Sequence, residues 1–156
     1  GWTLAQFVGA VRDGVTPEGA HLYPALPYAA YNKMQPQDVV NLKAFMDGLP
    51  AAATPSHPHE LRFPFNIRRS LAFWKALFVS KDWVVTGTLT PQQERGRYIA
   101  EALAHCGECH TPRNFLGGSK RDRFLAGGRG PDGKRVPNLT QTRLKNWNVH
   151  APTMSG

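Results

Sequence analysis

The sequence predicts an all-α fold in which short helices alternate with irregular loops. Apolar residues recur at the i, i+3, i+4, i+7 spacing of a helix in several segments. No two alternating strand patterns are joined by a hairpin turn. The 156 residues include 15 Gly and 13 Pro, which limit the length of regular elements. Coiled-coil and collagen-like classes are excluded because the sequence lacks their period.

Two helices are predicted in the first fifty residues. The first follows Thr3 as N-cap and ends at Gly14, which can adopt the left-handed conformation. The second begins at Pro36, a favoured first helical position, and ends at Gly48. Each is predicted to bury one apolar stripe, formed by Leu4, Phe7, Val8 and Val11 in the first and by Val39, Leu42, Phe45 and Met46 in the second.

A third short helix is predicted around residues 69–79, after a Pro-rich surface linker over residues 51–64. His57 and His59 lie in that linker and are interpreted as solvated residues, not as metal ligands. The aromatic side chains of the helix, including Phe73 and Trp74, are interpreted as core or as a docking face.

A fourth helix begins at the clearest boundary in the sequence. Thr90 as N-cap and Gln93 three residues later form a capping box, with Pro91 between them at the first helical position. A domain boundary is therefore predicted between residues 81 and 90. After His110 the chain becomes rich in Gly and is predicted to form loops.

The charge of the chain is positive and uneven. The formal net charge is +8, and residues 86–156 contribute eleven Lys and Arg against five Asp and Glu. This balance suits an acidic partner, an anionic lipid surface or a polyanion. Nucleic-acid binding is disfavoured because the basic residues are dispersed among glycines without an aromatic stacking pattern.

The segment that carries chemistry is Cys106-Gly107-Glu108-Cys109-His110, the C-x-x-C-H signature of covalent haem attachment. Cys106 and Cys109 can each form a thioether with one vinyl group of a porphyrin, and His110 then points at the iron as an axial ligand. A thioredoxin-like dithiol would need a βαβ setting, which the sequence does not predict. A zinc site would need further ligands, and the chain has no other cysteine.

Residues 95–113 resemble the haem-attachment segment of the multihaem cytochrome c subunits of bacterial membrane-bound dehydrogenases. Residues 21–28, 31–34 and 63–68 resemble other parts of the same family, and the likeness covers residues 1 to about 140. The resemblance implies haem c as cofactor. It also implies a cytochrome c-like fold and single-electron transfer.

The order of the matching parts is unusual for one complete domain. Residues 1–50 resemble the C-terminal part of a class I-type cytochrome c domain, residues 51–89 a connector, and residues 90–156 the N-terminal part of a second such domain. The resemblance therefore implies parts of two successive domains, cut from a longer protein or belonging to a split one.

Further haem contacts are implied by the same resemblance. Met34 matches the axial methionine of a neighbouring haem, with loop packing as the alternative, and Met154 is a candidate sixth ligand for the haem on this chain. Pro137 matches the proline whose carbonyl accepts from the axial histidine, and Arg113 is placed to pair with a propionate. Gly96 and Tyr98 match the positions where the first helix of such a domain crosses the last.

The expected function is electron transfer without catalysis by this chain. The resemblance implies a dehydrogenase catalytic subunit as donor and a quinone, another haem or a terminal oxidase as acceptor, with other cytochrome c domains and a peripheral membrane contact as further partners. Covalent haem implies a periplasmic location. The alternative is a peroxidase-like haem enzyme or a gas sensor with an open sixth position.

Overall fold

The computed structural model describes residues 1–52, 54, 57, 59–61, 63, 66–130 and 132–140, and these form a helix-rich chain. The α-helices are α1 (Leu4–Val8), α2 (Tyr28–Tyr31), α3 (Pro36–Asp47), α4 (Ser70–Phe78), α5 (Pro91–Tyr98) and α6 (Gly107–His110). Two π-helical turns, Gly9–Asp13 and Ile99–Leu103, extend α1 and α5, and Arg121–Arg123 is a 3-10 turn. None of the described helices is long and apolar enough to cross a membrane.

One short antiparallel ribbon departs from the all-α prediction. Strand β1 (Gly128–Arg129) pairs with β2 (Arg135–Val136), with Gly128 opposite Val136 and Arg129 opposite Arg135. Each strand has two residues, which is too short to produce an alternating pattern in the sequence. The helix-rich class is confirmed, and the ribbon is an addition to it.

Helix α1 begins and ends as the sequence predicts. The Thr3 hydroxyl accepts a hydrogen bond from the Gln6 amide at 3.3 Å, and the Gln6 side chain accepts from the Thr3 amide at 2.9 Å. The segment ends at Gly14 with φ of 61°. A Cβ there would lie 2.5 Å from the ring of Tyr28, so this position requires glycine for both its backbone angle and its space.

Helix α3 buries only the first part of its predicted stripe. Val39 is fully buried, whereas Phe45 is 67% and Met46 50% exposed. The prediction that Phe45 and Met46 belong to the core is therefore wrong. The apolar cluster lies beside the N-terminal half of α3, and the C-terminal half carries an exposed Lys43–Asp47 ion pair of 2.7 Å instead.

The core is a single apolar cluster to which the α1, α3 and α5 segments all contribute. Its buried members are Phe7, Val11, Met34, Val39, Tyr98 and Ala102. They come from the α1 segment, the turn before α3, α3 itself and the α5 segment. Helix α5 therefore shares a core with residues 1–47.

Tyr98 is the polar connection within that core. Its hydroxyl accepts from the Gln35 amide at 2.9 Å and donates to the Asp38 carboxylate. Burial and the Asp38 hydrogen bond raise the pKa of Tyr98. A Cβ on Gly96 would meet no atom within 4 Å among the described residues, so the predicted helix crossing at Gly96 stays a prediction, whereas Tyr98 packs at the core.

The buried carboxylate of Glu101, in the π-helical turn after α5, binds the backbone of the segment that precedes α5. Glu101 is 5% exposed, and its two oxygens accept from the amides of Val84 and Val85 at 2.7 and 2.8 Å. A carboxylate that receives two backbone N–H groups is well satisfied in a buried place. The segment around residues 84–85 is thus fixed on the α5 segment.

By its contacts the chain divides into two compact units, Gly1–His105 and Cys106–Gly156. The division falls after the α5 segment. The assignment of residues 1–50, 51–89 and 90–156 to parts of successive cytochrome c domains stays a prediction. Every buried hydrophobic residue among the described ones belongs to the first unit.

Replacing Tyr98 with Phe tests the connection to α3. We expect the variant to lose about 1–2 kcal/mol of unfolding free energy at pH 7, because the Gln35 amide and Asp38 lose a part-buried partner. The raised pKa of Tyr98 in the fold means that the wild type also loses stability as the pH rises above the ordinary tyrosine value of about 10, and the variant lacks that contribution.

Urea unfolding at pH 7 and in the alkaline range measures both effects. Tyr23→Phe is the matched control, since the Tyr23 hydroxyl makes only an exposed 3.4 Å contact with the Asn66 carbonyl. Equal losses in the two variants would contradict the proposed role of the Tyr98 hydroxyl.

Candidate functional site

The C-x-x-C-H segment forms one helical turn. Helix α6 follows Cys106, and the His110 amide donates to the Cys106 carbonyl at 3.0 Å. The i, i+3 spacing places Cys106 and Cys109 one turn apart. Both thiols are free, and Cys106 is half-buried whereas Cys109 is exposed. Both can therefore be reached by one bound molecule.

The imidazole of His110 is oriented by a backbone carbonyl. Its Nδ1 lies 2.8 Å from the carbonyl oxygen of Pro137, 27 residues further along the chain. Because a carbonyl can only accept, Nδ1 carries the proton in this hydrogen bond, and a neutral ring then has its lone pair on Nε2. Metal-ligating histidines have this arrangement, in which the second nitrogen fixes the ring and increases its basicity.

The loop after the turn folds back onto it through backbone contacts. The Gly127 amide donates to the His110 carbonyl at 2.7 Å, and the Leu125 amide donates to the Thr111 hydroxyl at 3.1 Å. Thr111 is only 2% exposed. A Cβ on Gly128 would lie 2.5 Å from the Cys109 carbonyl oxygen, so only glycine allows this approach.

Arg113 holds the other side of the turn. Its guanidinium donates to the carbonyl and the carboxylate of Glu108 and, at 2.7 Å, to the carbonyl of Gly117. Arg113 therefore connects α6 to the loop that follows it. Its predicted pairing with a haem propionate stays a prediction.

A cleft of about 1100 Å³ adjoins the turn within the same unit. It includes Pro137, whose carbonyl faces His110, and the ribbon residues of β1 and β2. Four arginines line it: Arg113, Arg123, Arg129 and Arg135. Arg129 and Arg135 are opposite each other in the ribbon, and like charges in that position are unfavourable without an anion nearby.

The residues of the second unit fit a covalently bound porphyrin. Two accessible thiols and an imidazole with a free Nε2 supply the three attachment points. Among its described residues the unit buries no hydrophobic side chain, so an apolar cofactor would provide the core that the chain lacks. The arginines of the cleft suit the negative charge of propionates.

Of the two methionines predicted as iron ligands, the structure describes Met34 and not Met154. Met34 is 5% exposed and lies in the apolar cluster of the first unit, together with Val39 and Tyr98. The structure thus places it where ordinary core packing would, and its role as an axial ligand stays a prediction. Met154 lies outside the described residues.

The alternative of a protein-only metal site receives no support. Within the described ranges, no three His, Cys, Asp or Glu side chains converge to hold a metal ion.

The sequence did not single out three residues that shape the site. Thr111 and Glu108 flank His110 in the sequence, but their partners lie in a loop whose path no pattern predicts. Gly128 is one of several glycines in that loop, and its need for space is visible only in the fold.

A helical turn with two free cysteines and a carbonyl-oriented histidine is typical of c-type cytochromes. The comparison with known proteins agrees. The chain is 50% identical over 150 residues, or 96% of its length, to a diheme cytochrome c-type protein of Cereibacter sphaeroides, of which it covers 50%. No protein-family model matches the chain.

Two further relatives are cytochrome subunits of named dehydrogenases. The chain is 43% identical over 94% of its length to the fructose dehydrogenase cytochrome subunit of Gluconobacter japonicus, of which it covers 31%. It is 36% identical over 88% of its length to the gluconate 2-dehydrogenase cytochrome c subunit of Pantoea cypripedii, of which it covers 34%.

The chain is a homologue of these bacterial c-type cytochromes, and its cofactor is haem c. It spans about half the length of the first relative and about a third of the other two.

Replacing Gly128 with Ala tests the close approach of the ribbon to the turn. The added Cβ would meet the Cys109 and Thr111 carbonyls at 2.5 and 3.1 Å, and backbone atoms cannot move aside cheaply. We expect a loss of about 1–3 kcal/mol in the unfolding free energy of the haem-loaded chain, measured by urea titration of the haem absorbance. Gly130→Ala is the control, because its nearest neighbour is the mobile end of the Asp132 side chain. A loss no larger than that of the control would contradict the packing argument.

Proposed function

We propose that this chain carries one haem c, attached through thioethers to Cys106 and Cys109 with His110 as axial ligand, and that it transfers single electrons. The observation that carries the proposal is the 2.8 Å hydrogen bond between His110 Nδ1 and the Pro137 carbonyl, because it leaves Nε2 free for the iron. Free, accessible thiols one turn apart support the two thioethers.

The haem iron supplies one-electron exchange between Fe(III) and Fe(II), and the protein residues set the conditions for it. Pro137 fixes the plane and the tautomer of His110. Thr111 and Gly127 hold the loop against the turn. Arg113 holds Glu108 and is proposed to turn toward a propionate when the cofactor is bound, which would neutralise part of its charge.

The partners are proposed from the relatives and from charge. Relatives are named as cytochrome subunits of fructose, gluconate and alcohol dehydrogenases, so we propose a dehydrogenase catalytic subunit as electron donor. A quinone, another haem or a terminal oxidase is the proposed acceptor. The basic second half favours docking of an acidic surface, and that association weakens as salt increases. The chain then acts as an electron-transfer subunit and not as the catalyst.

The proposed place is the periplasm, at the outer face of the inner membrane, where covalent haem attachment takes place. The proposed organisation is the C-terminal part of one cytochrome c domain followed by the N-terminal part of the next. In that organisation Met34 ligates the haem of the neighbouring domain, and Met154 is the candidate sixth ligand of the haem on this chain.

Replacing both Cys106 and Cys109 with Ala tests covalent attachment. We expect the double variant to lose haem staining on a denaturing gel completely, because no thioether can form. A single Cys106→Ala replacement keeps one thioether and should retain reduced staining. An intact mass of the wild-type chain should exceed that of the double variant by one haem. Unchanged staining in the double variant would overturn the proposal.

Replacing Met154 with Leu tests the sixth ligand. Methionine bound to Fe(III) gives a weak absorption band near the red edge of the visible spectrum, and we expect Met154→Leu to abolish it. Met34→Leu is the matched control and should leave that band unchanged, because Met34 is assigned to another haem. Fast CO binding to the reduced wild-type chain would instead support the peroxidase-like alternative.

A further inference from the structure

Helix α4 is apolar on its solvent side as well as on the side that packs on the protein, unlike an ordinary surface helix. A surface helix normally packs an apolar stripe on the protein and turns charged residues to water. In α4 the side toward the protein carries the charged residue of the helix, and the side toward solvent carries none. This arrangement requires an explanation, because exposed apolar surface is costly in water.

The inward side of α4 is fixed by Leu71 and Lys75. Leu71 is buried, and the Lys75 ammonium donates to the carbonyls of Asp13 and Gly14 at 2.7 and 3.1 Å. The same ammonium lies 5.2 Å from the centre of the Tyr28 ring. Lys75 therefore caps the carboxyl end of the α1 segment, and the orientation of α4 about its axis is set by specific contacts.

The outward side of α4 is apolar and continuous. After Ser70, the exposed residues of α4 are Ala72, Phe73, Ala76 and Leu77, with Phe73 72% and Leu77 56% exposed. Phe63 and Ile67, just before the helix, are also exposed, Phe63 at 78%. We call the exposed side chains of Phe63, Ile67, Phe73 and Leu77 the α4 apolar face.

The charge around this face has one sign. Residues 66–79 contain three basic residues and no acidic one. Arg68 and Arg69 are both exposed and stand directly before the first turn of α4. Arg69 makes no ion pair with any acidic side chain that the structure describes. Arg68 makes a 3.4 Å contact with the His21 carbonyl and lies 5.1 Å from the centre of the Tyr23 ring, but it has no acidic partner among the described residues either. An apolar surface bordered by arginines without acidic partners is complementary to a layer of phosphates that covers hydrocarbon.

We propose that the α4 apolar face rests on the surface of an anionic phospholipid bilayer. Phe73 and Leu77 enter the boundary between headgroups and acyl chains, and Arg69 and Arg68 contact the phosphates. The nine residues of α4 are far too few to span a bilayer, so the helix lies in the plane of the interface. The inference rests on, and sharpens, the membrane-surface placement proposed above, and it does not depend on haem.

Lipid explains the pattern better than a protein partner does. Protein interfaces surround an apolar centre with polar residues of mixed character. Here the charged residues within positions 66–79 are all basic, and the one exposed polar side chain of α4, Ser70, donates to the Ile67 carbonyl within the same chain. Aromatic side chains next to arginines are typical of helices that lie in a membrane interface.

Co-sedimentation of the haem-loaded full chain with vesicles tests the inference. The vesicles contain phosphatidylethanolamine with one third phosphatidylglycerol, and pure phosphatidylcholine vesicles are the neutral comparison. We expect binding to the anionic vesicles and a drop of about tenfold or more in the partition coefficient for Phe73→Ser with Leu77→Ser. Arg69→Gln should reduce the preference for anionic vesicles severalfold.

Phe45→Ser with Met46→Ser is the matched control, because it removes two other exposed apolar side chains from α3 of the same unit. It should bind like the parent chain. Haem absorbance and far-ultraviolet circular dichroism of every variant establish that it is loaded and folded, so a failure of vesicle binding is distinguished from a failure of haem attachment.

Three results would overturn the inference. The first is no binding of the parent chain to anionic vesicles, and the second is equal binding by the α4 double variant. The third is a concentration-dependent dimer of the parent chain, seen by sedimentation velocity and abolished in the α4 double variant while vesicle binding persists. That last result would assign the face to a second copy of this chain.

Discussion

The hydrogen bond between His110 and the carbonyl of Pro137 holds together two segments of the second unit that are far apart in the sequence. The turn that carries Cys106, Cys109 and His110 is short, and four residues of helix cannot maintain a defined direction alone. The ribbon brings Pro137 to the imidazole, and the absence of a side chain at Gly128 lets the ribbon approach the turn. The direction of the His110 imidazole thus depends on one carbonyl and one glycine.

This dependence is greater because the second unit has so little apolar packing of its own. The first unit has a cluster around Val39 and Tyr98, whereas the described part of the second buries no hydrophobic side chain. A porphyrin exceeds any side chain in apolar area, and its burial would supply stabilisation that hydrogen bonds alone do not. We therefore expect folding of this unit to be coupled to haem attachment. The length of the chain, 156 residues, does not by itself imply that it folds without haem.

Much of this organisation can be predicted from the sequence because its causes are local. The capping boxes at Thr3 and Thr90 and the stop at Gly14 depend on neighbouring residues, and all three are observed. The C-x-x-C-H motif is likewise local. The exposure of Phe45 and the lack of room for a side chain at Gly128 depend on which elements pack beside them, and no spacing in the sequence encodes that packing. Helical periodicity locates a stripe on α3, but it does not say how far along the helix the neighbouring elements extend.

Helix α4 shows that hydropathy alone is a poor guide for designing variants of this protein. A designer who replaced Lys75 with leucine to improve the core would remove the donor that satisfies the Asp13 and Gly14 carbonyls. The same designer would keep Phe73 and Leu77, although these residues make contacts between chains favourable at high concentration. Until the solvent side of the helix is covered, α4 exposes the chain to aggregation.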